Sequence, residues 1–232
     1  MKTIVILSGG MDSTTVLYKA LSETKDVKAL GFNYGQKHSK ELAFASQLCQ
    51  ELEIDYKVVD ISGVKKLLNS SLTSSEEIPE GHYAEDNMKS TVVPNRNAIM
   101  LSIAYGYAIS EKADKVMFGA HAGDHFIYPD CRPEFVEKLN VALKSATEGL
   151  GETIIEAPYL DKTKADIVAE GIALGVPYYL TWSCYKGNDR PCLKCGTCIE
   201  RTEAFLLNGV KDSALTDKEW EQAVNNYKEL NV

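Results

Sequence analysis

The chain lacks the features that place a protein in a membrane. No stretch of its 232 residues approaches the roughly 18 consecutive apolar positions that a spanning helix needs. No signal-peptide pattern is legible at the start: a single Lys leads straight into an apolar run of strand character. Both observations predict a cytoplasmic protein. Basic charge is also scarce. Lys and Arg number 25 against 33 Asp and Glu, a net charge of −8. That balance argues against a broad electropositive face for nucleic acid, while a local basic pocket for phosphate stays compatible with it. The sequence carries no internal repeat and no low-complexity tract. Six cysteines in a cytoplasmic chain of this size do not suggest a disulfide framework. A hydrophobic share of 44% suits a globular core, and the length suits one large domain, alone or with a small appendage.

What is present begins with Ser8-Gly9-Gly10-Met11-Asp12-Ser13. A β-branched run, Thr3–Leu7, precedes it and reads as a buried strand. Behind it, Val16, Leu17, Ala20 and Leu21 follow helical spacing. The small residues therefore form a strand-to-helix turn. Adjacent glycines permit positive φ and close approach of a ligand. Amides at the helix start, with the helix dipole, favour an anion there. Ser8 and Ser13 add hydroxyls. Asp12 fits either a helix N-cap or a ligand for magnesium carried in by phosphates. The turn is neither G-x-x-x-x-G-K-[ST] nor G-x-G-x-x-G.

Further along, strands are expected at Val27–Asn33, Tyr56–Ile61, Lys115–Gly119 and Thr153–Ala157. Helices are expected over Lys37–Glu53, Ala98–Lys112, Glu134–Leu150 and Lys162–Leu174. Asn95 or Asn97 is expected to cap the second of these. Residues 62–90, Ser-rich and acidic, read as a long loop over the active face. Alternating β and α units predict an α/β fold: a Rossmann-like parallel sheet of about five strands, helices on both faces, ligands at the strand C-termini. A small C-terminal zinc-binding helical segment should complete it, with residues 1–180 forming the α/β domain and 181–232 the appendage.

That segment is read from Cys184, Cys192, Cys195 and Cys198, spaced C-x7-C-x2-C-x2-C. Such short turns aim thiolates at one centre, and four thiolates describe a closed, structural zinc site. An iron–sulfur cluster is the rival, although the fourth ligand three residues on and followed by Pro is absent. Cys49 sits on an apolar helix face and reads as core. Cys131 suits a buried small residue and a substrate-contacting thiol equally.

The Ser8–Ser13 loop resembles that of the PP-loop ATP pyrophosphatases. Asn33–His38, Val93–Asn97, Tyr128-Pro129-Asp130-Cys131-Arg132, Lys164-Ala165-Asp166 and Ser183-Cys184-Tyr185 follow in order with the later cysteines. Together they resemble the 7-cyano-7-deazaguanine synthase family. The resemblance implies an ATP-dependent ligase that turns 7-carboxy-7-deazaguanine and ammonia into the nitrile precursor of queuosine and archaeosine. Carboxylate attack on ATP would give an acyl-adenylate, ammonia an amide, and a second adenylation the nitrile. It implies phosphate binding by Ser8, Gly9, Gly10, Met11, Asp12, Ser13 and Thr14, with adenine near Phe32. Arg96 and Lys164 are expected on phosphate or carboxylate, and with Asp12 and His38 they are the expected catalytic residues. Gln36 and His38 are expected at the substrate, His38 as a general base. Asp130, with Cys131 and Arg132, is expected at the base, its carboxylate meeting the 2-amino and N1–H edge. Zinc, magnesium and ATP are the expected cofactors and co-substrate; no nucleic-acid or membrane partner is expected. We expect a homodimer, although no sequence feature sets the oligomeric state. Two other readings fit parts of the chain: a PP-loop tRNA thiolase, which would need a basic tRNA surface, and a non-catalytic zinc-knuckle module.

Overall fold

Short strands, the central ones buried on both faces, build one parallel sheet. In the computed structural model of the chain, which describes residues 1–37, 40–74, 76–81, 83 and 86–230, that sheet has five strands. They are β1 (Thr3–Ile6), β2 (Val27–Asn33), β3 (Asp55–Asp60), β4 (Lys115–Met117) and β5 (Ile154–Glu156). Their order is β3-β2-β1-β4-β5, every neighbouring pair parallel. Thr3 of β1 stands beside Val27 on one side and Lys115 on the other.

The helices are α1 (Met11–Glu23), α2 (Lys40–Glu51), α3 (Arg96–Glu111), α4 (Pro133–Ala146), α5 (Lys164–Ala173), α6 (Gly196–Leu207) and α7 (Asp217–Leu230). Successive strand side chains point to opposite faces, and the core divides accordingly. Ile4, Leu30 and Val116 pack with Leu101, Ala104 and Tyr105 of α3 and Val136 of α4. Val5, Ala29 and Met117 pack with Val16 and Leu17 of α1, Leu48 of α2 and Ile167 of α5. The chain winds outward from β1 through β2 to β3, then returns to place β4 on the other side of β1. A crevice opens at such a reversal, beyond the carboxyl ends of the strands.

Several element ends differ from expectation for local reasons. The fourth helix stops at Ala146, and Gly149 behind it takes φ +81°. α5 starts at Lys164 because Thr163 and Asp166 form a reciprocal capping box. Neither Asn95 nor Asn97 caps α3 with its side chain. Asn95 is left-handed at φ +61°, and the amide of Asn97 donates to the Asp130 carboxylate at 2.9 Å. Within residues 62–90 there are single 3-10 turns at Ser62–Lys66 and Asp86–Thr91. Leu72, Ile78 and Met88 are buried and anchor that segment.

The C-terminal segment shares the core of the sheet domain. Val168 of α5 and Met11 of α1 pack with Ala204 and Phe205 of α6. Arg201 is buried and donates to Asp212 through two nitrogens, at 2.6 and 2.9 Å. It also donates to Thr181 Oγ1, Ser183 Oγ and the Tyr178 carbonyl, so one guanidinium ties α6 to both flanking segments.

Candidate active site

β1 hands the chain to α1 through the Ser-Gly-Gly turn. Gly9 takes φ +92°, and a Cβ there would lie 2.0 Å from the Glu41 carbonyl oxygen. Only glycine lets the loop press so closely on α2. The Gly10 amide donates to Ser8 Oγ at 3.1 Å, and the Ser8 amide to Ser13 Oγ at 3.2 Å. The Trp182 amide donates to the Gly9 carbonyl at 2.9 Å, clamping the loop from behind. Gly10 occupies the N-cap of α1 without a side-chain cap, so the first-turn amides keep no intrahelical partner. An anion is the natural complement of that end.

A cavity of about 230 Å³ lies above this turn. Ser8, Gly10, Met11, Asp12 and Ser13 line it, and so do Phe32, Gln36, Arg96, Cys131 and Lys164. Gly9 and Thr14 support the loop from outside the lining; Asp130 and Arg132 also fall outside it. Asp130 accepts from the Asn97 amide, and Arg132 Nε donates to the His125 carbonyl at 3.0 Å. His38 lies outside the described residues. Gln36 closes its own turn: its amide donates to the Phe32 carbonyl and accepts from the Tyr34 amide. Cys131 accepts from Asn97 Nδ2 at 3.1 Å. Burial, reinforced by Asp124 and Asp130, pushes its thiol well up, so it stays neutral.

Charge gathers around Lys164. Its ammonium lies 2.6 Å from Glu200 Oε2 and 3.2 Å from Asp12 Oδ2. Burial works against that charge, but Asp12, Glu200 and Asp124 outweigh it and hold the Lys164 pKa above its ordinary value. Asp12 Oδ1 is buried with no hydrogen-bond partner among the described residues. Buried His121 sits alongside, its Nδ1 accepting from the Gly123 amide at 3.1 Å and its Nε2 3.8 Å from Glu200 Oε1. Arg96 is enclosed by aromatics, its guanidinium carbon 5.8 Å from the Tyr34 ring and 5.7 Å from that of Tyr128. Such stacking suits a buried guanidinium that keeps donors for a planar anion. Glu41 and Glu200 also line the cavity, and no motif in the sequence pointed to either. The one available signal for Glu200 was its place two residues beyond the last cysteine.

Outside this cavity, the sulfurs of Cys184, Cys192, Cys195 and Cys198 lie within 4.8 Å of one another. A tetrahedral ion with metal–sulfur bonds of about 2.3 Å sets sulfurs about 3.8 Å apart. The Cys195–Cys198 and Cys192–Cys198 separations, 3.5 and 4.0 Å, bracket that value. Amides of Cys192 and Cys195 donate to the sulfurs of Cys184 and Cys192, which favours thiolates. The four residues can hold a metal ion. Their knuckle bridges to Glu80 through Cys195, and Cys195 is the N-cap of α6.

A parallel sheet whose first strand ends in an anion cradle, with a partly buried lysine and arginine lining the same cavity, defines an ATP-using α/β enzyme of the PP-loop kind. Residues 2–209 match the family model described as queuosine biosynthesis protein QueC, and the chain belongs to that family. Curated relatives carry the name 7-cyano-7-deazaguanine synthase. That of Archaeoglobus fulgidus is 52% identical over 231 residues, 99% of this chain and 96% of the relative. That of Caldicellulosiruptor bescii is 56% identical over 213 residues, 91% of this chain and 96% of the relative. Among solved structures, the NMN synthetase of Francisella tularensis shares the fold with a TM-score of 0.51 at 17% identity, covering 98% of this chain and 84% of that one.

Proposed function

We propose that this chain is an ATP-dependent ligase that converts 7-carboxy-7-deazaguanine and ammonia to 7-cyano-7-deazaguanine, releasing AMP and pyrophosphate. The observation that carries the reading is one cavity holding the Ser8–Ser13 cradle, the Lys164 ammonium and the Arg96 guanidinium. A carboxylate is a poor electrophile, and ammonia does not displace oxide from it. Activation at the α-phosphate supplies the leaving group. In this reading the loop amides and the Ser8 and Ser13 hydroxyls seat the phosphates, with adenine near Phe32. Lys164, kept charged by its acidic neighbours, offsets negative charge growing on the phosphoryl oxygens. Arg96 orients the substrate carboxylate from between its tyrosines. Ammonia then displaces AMP to leave an amide. A second adenylation, at the amide oxygen, turns that oxygen into a leaving group, so two ATP are used per nitrile.

The donor set also fits magnesium. Asp12 offers the unpartnered buried oxygen Oδ1, and Asp124 and Glu200 add oxygen donors. Together these carboxylates exceed the single charge of Lys164. A hard divalent cation bound there would neutralise phosphate charge. At the cysteine cluster we assign zinc. Four thiolates leave no open position, so its work is structural. The chain's place is the cytoplasm, consistent with six free thiols among the described residues. Exposed Val141, Leu150 and Ile154, on α4 and around β5, offer apolar surface to a second copy in a homodimer. The reading is tested by nucleotide analysis: AMP and pyrophosphate should form only when the deazaguanine acid is supplied. ADP and phosphate as sole products would remove the acyl-adenylate from the mechanism.

A further inference from the structure

The edge of the base that carries N1–H and the 2-amino group needs an acceptor, and the structure moves that task away from Asp130. Asp130 stands outside the cavity lining, and its carboxylate accepts from the Asn97 backbone amide at 2.9 Å. That contact joins the 3-10 turn Pro129–Cys131 to the first turn of α3. The same turn holds the Asn97 side chain. Its Nδ2 donates to the Asp130 carbonyl at 3.3 Å and to the Cys131 sulfur at 3.1 Å. A carbonyl can only accept, so the nitrogen, not the oxygen, of the carboxamide faces it. Both N–H bonds are thereby spent, and among the described residues Oδ1 is left as an open acceptor. Asn97, Met100 and Leu101, spaced i, i+3 and i+4, share one face of α3, and all three line the cavity. Arg96, one residue earlier, lines it too, its guanidinium carbon 5.8 Å from the Tyr34 ring and 5.7 Å from that of Tyr128.

We infer that Asn97 Oδ1 selects the base: it accepts from the N1–H and 2-amino edge of the deazaguanine while Arg96 holds the carboxylate. The choice of ligand rests on the ligase reading above. Successive helix residues point about 100° apart, so Arg96 and Asn97 address different sides of one ligand. The deazaguanine acid has that layout. Its carboxylate sits on the five-membered ring, and its N1–H and 2-amino group sit on the six-membered ring. An amide oxygen has two lone pairs and can accept from both donors. Unlike a carboxylate, it brings no second negative charge towards the substrate. The matching 7-deazaadenine acid reverses the edge. Its N1 is an acceptor and its C2 carries only hydrogen, so Oδ1 would face a lone pair and stay unpaired. Leaving a polar group of the site unpaired is how a hydrogen-bonding pocket rejects an analogue.

The test measures affinity for the two acids by titration calorimetry, with α,β-methylene ATP present so that no turnover occurs. Wild type should bind the 7-deazaguanine acid at least about 30-fold more tightly than the 7-deazaadenine acid. Asn97→Ala should weaken the guanine acid at least about tenfold and leave the adenine acid within about threefold of wild type. Its affinity for the ATP analogue should also stay within about threefold. A merely structural residue would weaken both acids alike; that result, or an unchanged preference between them, overturns the proposal. Should Asn97→Ala not fold, Asn97→Ser takes its place under the same criteria, its hydroxyl being too short to reach the position of Oδ1. ATP–pyrophosphate exchange by the wild type is measured separately. Selective binding without acid-dependent exchange would overturn the ligase reading and leave Asn97 as the base-selecting residue.

Discussion

Gly9→Ala places one methyl group where the loop touches α2. An ideal Cβ there sits 2.0 Å from the Glu41 carbonyl oxygen, 2.8 Å from its carbon and 3.1 Å from the Ala45 nitrogen. Ordinary contact needs about 3.5 Å, so backbone must move by about 1.5 Å. The φ of +92° adds a penalty of about 1–2 kcal/mol for a residue with a Cβ. Overpacking adds about 1–3 kcal/mol. The sum, about 2–5 kcal/mol, corresponds in a chain of this size to a melting point lowered by roughly 4–20 °C. Relief comes most readily through the loop, since α2 is held by its buried face. The Gly10–Ser8 contact then opens and the KM for ATP rises. Thermal melts with and without ATP, beside pyrophosphate exchange, measure both effects. Gly106→Ala is the control: it lies on the exposed side of α3 with nothing within 4 Å of the added carbon. It should stabilise by about 0.5–1 kcal/mol. A Gly9→Ala protein that melts with the wild type and keeps its KM for ATP would refute the argument.

Asp12→Ala should lower turnover by at least about 10²-fold through lost phosphate or metal positioning, with little loss of fold by circular dichroism. An unfolded variant would mark Asp12 as mainly structural. Cys195→Ala should reduce bound metal and speed limited proteolysis between residues 180 and 200, because it removes one of the four sulfurs that draw this segment onto the start of α6. Metal-free protein that resists protease yet has no turnover would put the zinc in the chemistry instead. Hydrogen bonding to Arg190 lowers the Glu219 pKa to about 2, and that bond clasps α7 to the cysteine loop. A depressed carboxylate stabilises above its unfolded pKa, about 4.3. The clasp should therefore weaken as pH falls from about 4.3 towards 2, and Glu219→Gln should flatten the acid limb of the stability curve. Equal acid sensitivity in both proteins would contradict this.

Much of the frame was legible in the chain. The stretch Val27–Asn33 is strand over the expected span, and the βα alternation implied the parallel sheet. Local signals sufficed there because burial on both faces leaves a continuous apolar run. The cap of α3 was not legible, since its acceptor, the Asp130 carboxylate, lies 33 residues away. The same bond explains why Asp130, expected at the base edge, stands outside the cavity lining while Asn97 and Cys131 stand in it. Gln36 looked like a substrate contact, and its amide is engaged by the backbone of its own turn. Nothing in the sequence pattern marked Glu41 or Glu200, which line the cavity. Periodicity reads which face of a helix is apolar; it does not read that a first turn rests on Gly9, or that α6 brings an acid to Lys164.

The central claim is that both oxygens of the substrate carboxylate leave on AMP. Substrate carrying ¹⁸O in both carboxylate positions tests it, with mass spectrometry of the AMP, pyrophosphate and deazapurine products. The account predicts two AMP per nitrile, each carrying one heavy oxygen, with unlabelled pyrophosphate. Unlabelled AMP, with the heavy oxygen in pyrophosphate or water, would contradict it.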